Sequence, residues 1–320
     1  MKFKILLIIV SLILFSCNRK AVVEEIKTSK YLPTEEIEIE VEKNVMISGT
    51  LEYVSPKHLV IIIAGLGPTD RDCNSVLGLK TDAFKLLARS LTMHGVSSFR
   101  YDKRGIGKST KVEESDLLVD TYVSDVISIL NHLKSDFDQI ILLGHSEGAL
   151  IGSIASMDEK VNSFISVSGT SISVDKIILD QLKSQPVLAE NAKKHIDEIL
   201  TNQPLSEVDP LLQSAFRPSL VPFLKSLFEV DPMNEITKLD KPVLVIGGIC
   251  DWQVPIQHAK DLDSGAIDSK LVMVNRMGHL LKNLNSECNN VLDAYSNPEM
   301  ELNPEFVKAV LNFIGCDKCL

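Results

Sequence analysis

Gln139-Ile140-Ile141-Leu142-Leu143-Gly144-His145-Ser146-Glu147-Gly148 decides how this chain is read. Ile140 to Leu143 is a continuous apolar run, which suits a strand buried on both faces. From Glu147 to about Met157 the spacing predicts a helix. Between the two stands Gly-x-Ser-x-Gly, with Ser146 at its centre. A serine presented between a strand and a helix needs a sharp, strained turn. Side chains two residues to either side would collide there, so Gly144 and Gly148 are what the turn demands. The helix N-terminus also favours negative charge beside the serine. The pentapeptide alone is weak evidence; the strand before it and the helix after it give it weight.

The same alternation extends outward. Leu59 to Ala64 and Val96 to Tyr101 read as strands, with Phe84 to Met93 helical between them and Val119 to Leu133 amphipathic after them. Val161 to Val167, Pro242 to Gly247 and Leu271 to Val274 add further strands, and Pro304 to Ile314 a closing helix. Strand-helix-strand alternation predicts an α/β fold with a mostly parallel, doubly wound sheet. Upstream, Glu36 to Glu42 alternates charged and apolar residues, Lys43-Asn44 makes a turn, and Val45 to Tyr53 continues: an N-terminal antiparallel hairpin. Between Thr170 and about Ile236 no parallel strand is readable. Ile177 to Leu182, Ala189 to Leu200 and Leu220 to Phe228 look helical, punctuated by prolines. The expected organisation is therefore a core of residues 35–170 and 237–320 carrying a helical cap insertion, 171–236.

Serine is a weak nucleophile at neutral pH. It needs a base, and the base needs a carboxylate to orient it. Where the nucleophile sits on a strand-turn-helix, the acid and then the histidine follow it in the chain. His58, His94, His132 and His145 fail that order, and His195 lies in the insertion. His279, in Met277-Gly278-His279 after the last strand, is the expected base, with His258 in reserve. Asp251 follows the strand before and is the expected acid; a helix-capping Asp is the plain alternative. Asp240 precedes its strand and is on the wrong edge, and Asp175 is the outside alternative. The backbone N–H groups of Glu147 and Leu66 are the expected oxyanion donors, because Gly65 lets the backbone approach closely.

Ala64-Gly65-Leu66-Gly67-Pro68-Thr69-Asp70-Arg71-Asp72 and Arg100-Tyr101-Asp102-Lys103-Arg104-Gly105-Ile106-Gly107-Lys108-Ser109 resemble two signature segments of bacterial α/β-hydrolase esterases. With Gly144 to Gly148, Gly248 to Pro255 and Met277 to His279, the resemblance runs from about Glu36 to Ile314, its motifs in the right order. It implies an α/β-hydrolase fold and cofactor-free hydrolysis of carboxylic esters under a helical cap. Relatives usually carry Gly-Asn after the Arg-Asp pair; here Cys73-Asn74 follows Arg71-Asp72. Peptidases, thioesterases and acyltransferases share the fold, so it does not fix the substrate. Glu190, Asp197, Glu198, Glu207 and Asp209 of the insertion are where a peptidase would hold a substrate amine; a solvated face is the plain reading. A non-enzymatic binding lipoprotein on the same scaffold is a third reading, disfavoured by intact Ser146, Asp251 and His279 candidates.

The first residues do not belong to this fold. Lys2 and Lys4 precede an apolar run from Ile5 to Phe15, too short to span a bilayer comfortably, which reads as a signal peptide over 1–16. Leu14-Phe15-Ser16-Cys17 resembles a bacterial lipobox, which implies cleavage before Cys17 and lipid on its sulfur, followed by a polar tether to residue 34. The domain would then hang from a membrane of the bacterial envelope by acyl chains. Cleavage removes two lysines from a chain whose formal charge is already −10. Such acidity repels phosphate backbones, so nucleic acid is not an expected partner. Gly105 to Thr110 ends like a phosphate loop but has Asp102 where that motif needs glycine, so a tight turn is expected. No ligand spacing argues for a metal, and no cofactor is expected. Six cysteines occur, and lipidation of Cys17 leaves Cys73, Cys250, Cys288, Cys316 and Cys319, with pairing open. A tail cannot give Cys316-x-x-Cys319 the strand-to-helix setting of a redox site.

Overall fold

The computed structural model describes residues 33–315. The expected signal peptide and lipidated Cys17, together with Cys316 and Cys319, lie outside the described residues. Eight strands form one sheet: β1 (Thr34–Glu42), β2 (Val45–Glu52), β3 (His58–Ile63), β4 (Ser97–Tyr101), β5 (Gln139–His145), β6 (Ser163–Val167), β7 (Val243–Gly248) and β8 (Ser269–Val274). Their spatial order is β1-β2-β4-β3-β5-β6-β7-β8. β1, β2 and β4 pair antiparallel, and every later pairing is parallel. The hairpin expected from the charged/apolar alternation is β1–β2: Ile37 and Ile39 turn inward while Glu36, Glu38 and Glu40 face out.

The apolar strands serve two faces at once, as their period of two requires. Leu59, Ile61 and Ile63 of β3 pack with helices α2 (Val119–Leu133), α3 (Glu147–Ala155) and α8 (Ile256–Gly265). Val60, Ile62 and Ala64 pack on the other side with α1 (Ala83–Met93) and α9 (Pro304–Ile314). This is the expected doubly wound α/β sheet. Helix α8 was not legible as a helix: it turns only Ala259 and Leu262, with His258, inward.

Between β6 and β7 the chain is helical: α4 (Val174–Leu182), α5 (Pro186–Leu200), α6 (Val221–Phe228) and α7 (Pro232–Ile236). This segment owns a small core of Ala192, Ile196, Ile199, Leu212, Phe216, Leu224 and Phe228. It leaves the sheet at the C-terminal end of β6, the edge on which Ser146 also lies. Glu114, just before α2, fastens it there. The Glu114 carboxylate accepts from Arg217 Nε at 2.7 Å and Ser219 Oγ at 2.6 Å, while Tyr122 meets Phe223 edge-on at 5.5 Å.

Candidate active site

β5 ends at His145 and α3 begins at Glu147, so Ser146 is the whole turn. Its backbone stands at φ 57°, ψ −122°, a conformation L residues rarely adopt and one that costs on the order of 1–3 kcal/mol. The flanking glycines make that turn possible. A Cβ on Gly144 would sit 2.1 Å from the Gly148 carbonyl oxygen, and one on Gly148 2.3 Å from that of Ile63. The Ser146 N–H donates to Val167 O at 2.9 Å, which pins the turn to β6.

Asp251 and His279 meet. Asp251 Oδ2 lies 2.9 Å from His279 Nδ1, and both residues are only 6% exposed. Asp251 Oδ1 accepts the N–H groups of Gln253 and Val254, each at 2.9 Å, so the carboxylate is held from both ends. Burial pushes this carboxyl up, but the charge and hydrogen bond of His279 and the Val254 N–H more than offset it, leaving it below its ordinary value. The two loops are stitched together. Cys250 N–H donates to Met277 O at 3.0 Å, Ile249 N–H donates to Val274 O at 2.9 Å, and a Cys250–Cys288 disulfide bridges the Asp251 loop to the segment beyond His279. Cys73 is the free, buried cysteine among the described residues.

The reserve residues have other partners. His258 sits on α8 with Nδ1 2.9 Å from Ser171 Oγ, which itself donates to Asp261 at 3.0 Å. Asp175 lies in the first turn of α4, and Asp240 precedes β7. Neither takes the place of Asp251 against His279.

His145 is a residue that chain order had set aside. It is unsuitable as a base, yet its Nε2 lies 2.7 Å from the His279 carbonyl, and the two rings are 4.8 Å apart. With Nε2–H as donor, it ties the His279 backbone to the end of β5, next to Ser146. The only sequence signal was its place at the strand's end. Burial, reinforced by the charge of His279, pulls the His145 ring down to about 3 from 6.5. An unfolded chain binds that proton near 6.5 and the folded one only near 3. This group's contribution is therefore fully present above pH 6.5 and is lost as pH falls toward 3. Urea midpoints at pH 7 and pH 5 test this. The wild type should lose more stability than His145→Gln over that interval, by up to about 1.4 kcal/mol per pH unit. Equal losses would show that His145 binds its proton as readily in the folded chain as in the unfolded one.

The expected oxyanion loop is adjacent. A Cβ on Gly65 would lie 2.9 Å from Ser146 Cβ and 3.5 Å from its Oγ, so only glycine permits this approach. The two quoted signature segments hold that loop. Asp102 accepts the Arg71 N–H at 2.8 Å and the Arg71 guanidinium at 2.8 Å, and Arg71 also reaches Ser48 and Thr50. Gly107 lets the turn close over the Asp102 carboxylate, which takes the Lys108 N–H at 2.9 Å: a tight turn, as expected. Cys73, in the segment that follows Arg71, adopts φ 70°. Its neighbours compensate, since Thr81 Oγ1 donates to the Cys73 carbonyl at 2.6 Å.

Of the carboxylates in the insertion, Glu190, Asp197 and Glu207 are exposed. Asp197 pairs with Lys193, Glu198 with His195 and the Ser206 N–H, and Asp209 accepts the Leu211 N–H. Among the described residues no group of three or more His, Cys, Asp or Glu side chains is placed to hold a metal ion, and no helix is long and apolar enough to cross a membrane.

Residues 77–283 match the family model described as serine aminopeptidase, S33. A search of curated protein sequences gave no match. Solved structures similar to this chain include an esterase of Pyrococcus furiosus, at 17% identity and TM-score 0.60, covering 90% of this chain and 95% of that one. The ferulic acid complex of Est1E from Butyrivibrio proteoclasticus aligns at 19% identity and TM-score 0.54, covering 81% and 96%. A bromoperoxidase of Bacillus anthracis aligns at 18% and 0.56, covering 88% and 100%. At these identities the likeness shows the fold.

Proposed function

Because the chain belongs to the serine aminopeptidase S33 family of α/β-hydrolases, we propose that its hydrolytic reaction is the cleavage of carboxylic esters, of short acyl chains, through an acyl-enzyme on Ser146. The observation that carries this reading is the buried Asp251–His279 contact of 2.9 Å, on loops tied through His145 to the strained turn of Ser146. Ser146 Oγ attacks the ester carbonyl while His279 Nε2 takes its proton. Asp251, acting on Nδ1, keeps the imidazole in the tautomer whose Nε2 is free to accept, and stabilises the imidazolium that forms. The tetrahedral oxyanion is met by the backbone N–H groups of Leu66 and Glu147. His279 then protonates the departing alcohol and later activates the water that releases the acid. No cofactor takes part.

Ester rather than aminopeptide substrate is favoured by the insertion's carboxylates. Those expected to hold a substrate amine either face solvent or are engaged with neighbours of their own. A series of p-nitrophenyl esters of increasing acyl length, run beside aminoacyl arylamides, tests the reading. The expected result is a higher kcat/KM on a short ester than on any arylamide. Faster cleavage of an arylamide would replace it with a peptidase.

The reading extends to location. Lipid on Cys17 would hold this acidic domain to a membrane of the bacterial envelope. The Cys250–Cys288 disulfide supports an oxidising compartment.

A further inference from the structure

Lys103 is a buried lysine that the reaction above leaves without a task. It follows β4 by two residues and its side chain is 6% exposed. Its ammonium donates to the Gly65 carbonyl at 2.5 Å, stands 3.8 Å from Glu147 Oε2 and lies 5.4 Å from the centre of the Tyr122 ring. Glu147 is buried too, and its Oε1 has no hydrogen-bond partner in the protein. A buried carboxylate and a buried ammonium are each costly unless they face each other. This pair is set where the two oxyanion donors originate. One donor is the N–H of the Gly65–Leu66 peptide, whose carbonyl Lys103 grips. The other is the N–H of Glu147, whose carboxylate Lys103 faces.

We propose that Lys103 is the positioning residue of the oxyanion hole, holding the Gly65–Leu66 peptide plane in register with Glu147. A trans peptide is planar, with C=O and N–H pointing in opposite directions. Fixing the Gly65 oxygen from one side therefore aims the Leu66 N–H to the other. A cationic donor on the carbonyl also polarises the amide, which strengthens its N–H toward an anion. Asp102, the neighbouring residue, grips the same loop further along at the Arg71 N–H, 2.8 Å away. Two consecutive residues thus clamp the oxyanion loop at both ends. Gly65 itself cannot carry a side chain to fix its own orientation, because Ser146 occupies that space.

The proposal rests on Ser146 as nucleophile, and the experiment separates the two. Lys103→Met and Glu147→Gln are assayed on a short p-nitrophenyl ester and titrated with a trifluoromethyl ketone, which forms a tetrahedral adduct bearing the oxyanion. A misaimed donor is felt only when that oxyanion exists. In Lys103→Met, kcat should fall about 10²–10³-fold with KM within about threefold, and the ketone's Ki should weaken by the same factor as kcat/KM. Glu147→Gln, which keeps its backbone N–H, should show the same parallel at smaller size, and carries the test if Lys103→Met does not fold. A folded variant whose kcat stays within about threefold of wild type, or whose ketone affinity does not move with kcat/KM, overturns the role. Fluorophosphonate should still label Ser146 in both variants. Absence of label in the wild type as well would instead remove the nucleophile on which the proposal stands.

Discussion

Replacing His279 by alanine should lower kcat about 10⁵–10⁶-fold while leaving the protein folded. Ser146 would keep its strained turn but lose the group that takes its proton, and an unassisted hydroxyl barely ionises at neutral pH. The fold should survive because the groups that hold this loop use its backbone. The His279 carbonyl would still face His145 Nε2, and Met277 O would still receive the Cys250 N–H. No neighbouring imidazole is equipped to step in. The His145 Nε2 is committed to that carbonyl, and burial, the chief cause that holds its ring down, persists in the variant and keeps it a weak base. His258 is occupied with Ser171, beside Asp261. Steady-state rates on a short ester, with circular dichroism as the control for folding, decide the matter. Near-normal turnover in His279→Ala would move the role of base to His258.

Asp251→Asn should cost about 10⁴-fold in kcat, with little change in KM or melting temperature. The side chains have nearly the same shape, so an Asn oxygen can still accept the Gln253 and Val254 N–H groups, each 2.9 Å from Oδ1. The other atom, facing His279 Nδ1, becomes an amide nitrogen that donates. A donor there forces Nδ1 to accept and places the ring proton on Nε2, the wrong tautomer for receiving a proton from Ser146. The substitution thus removes the chemistry and keeps the scaffold. Asp251→Asn within about tenfold of wild type would leave Asp251 only the structural task of accepting the Gln253 and Val254 N–H groups.

The centre of the sheet was legible because β3, β5 and β7 are short β-branched or leucine-rich runs, such as Leu59 to Ile63 and Val243 to Ile246. Ser146 was legible because its turn needs two glycines at fixed spacing. Helix α8 was not, since Pro255 opens it and its exposed face is built of polar residues, leaving only Ile256, Ala259 and Leu262 as a faint stripe. The long segment from Arg276 to Asn303 carries no period at all. Its order comes from contacts distant in sequence: the Cys250–Cys288 bridge, Lys282 Nζ on Met300 O at 2.6 Å, and the Asn303 side chain on Asn275 O at 2.7 Å. For the same reason the supporting parts of the site were hidden. His145 reaches a carbonyl 134 positions away and Lys103 one 38 positions away, and neither pairing leaves a local pattern. Arg71 and Asp102 stood out as members of recognisable segments, but their service as an internal brace for the loop beside Ser146 needed the fold to bring them within 2.8 Å.

The central claim is that Ser146 is the nucleophile. Its most direct measurement is to incubate the folded protein with a fluorophosphonate, digest it and map the adduct by mass spectrometry. One phosphonyl group on the peptide containing Ser146, absent from a folded Ser146→Ala protein together with all ester hydrolysis, is the result expected. Labelling or turnover that survives Ser146→Ala would contradict the account.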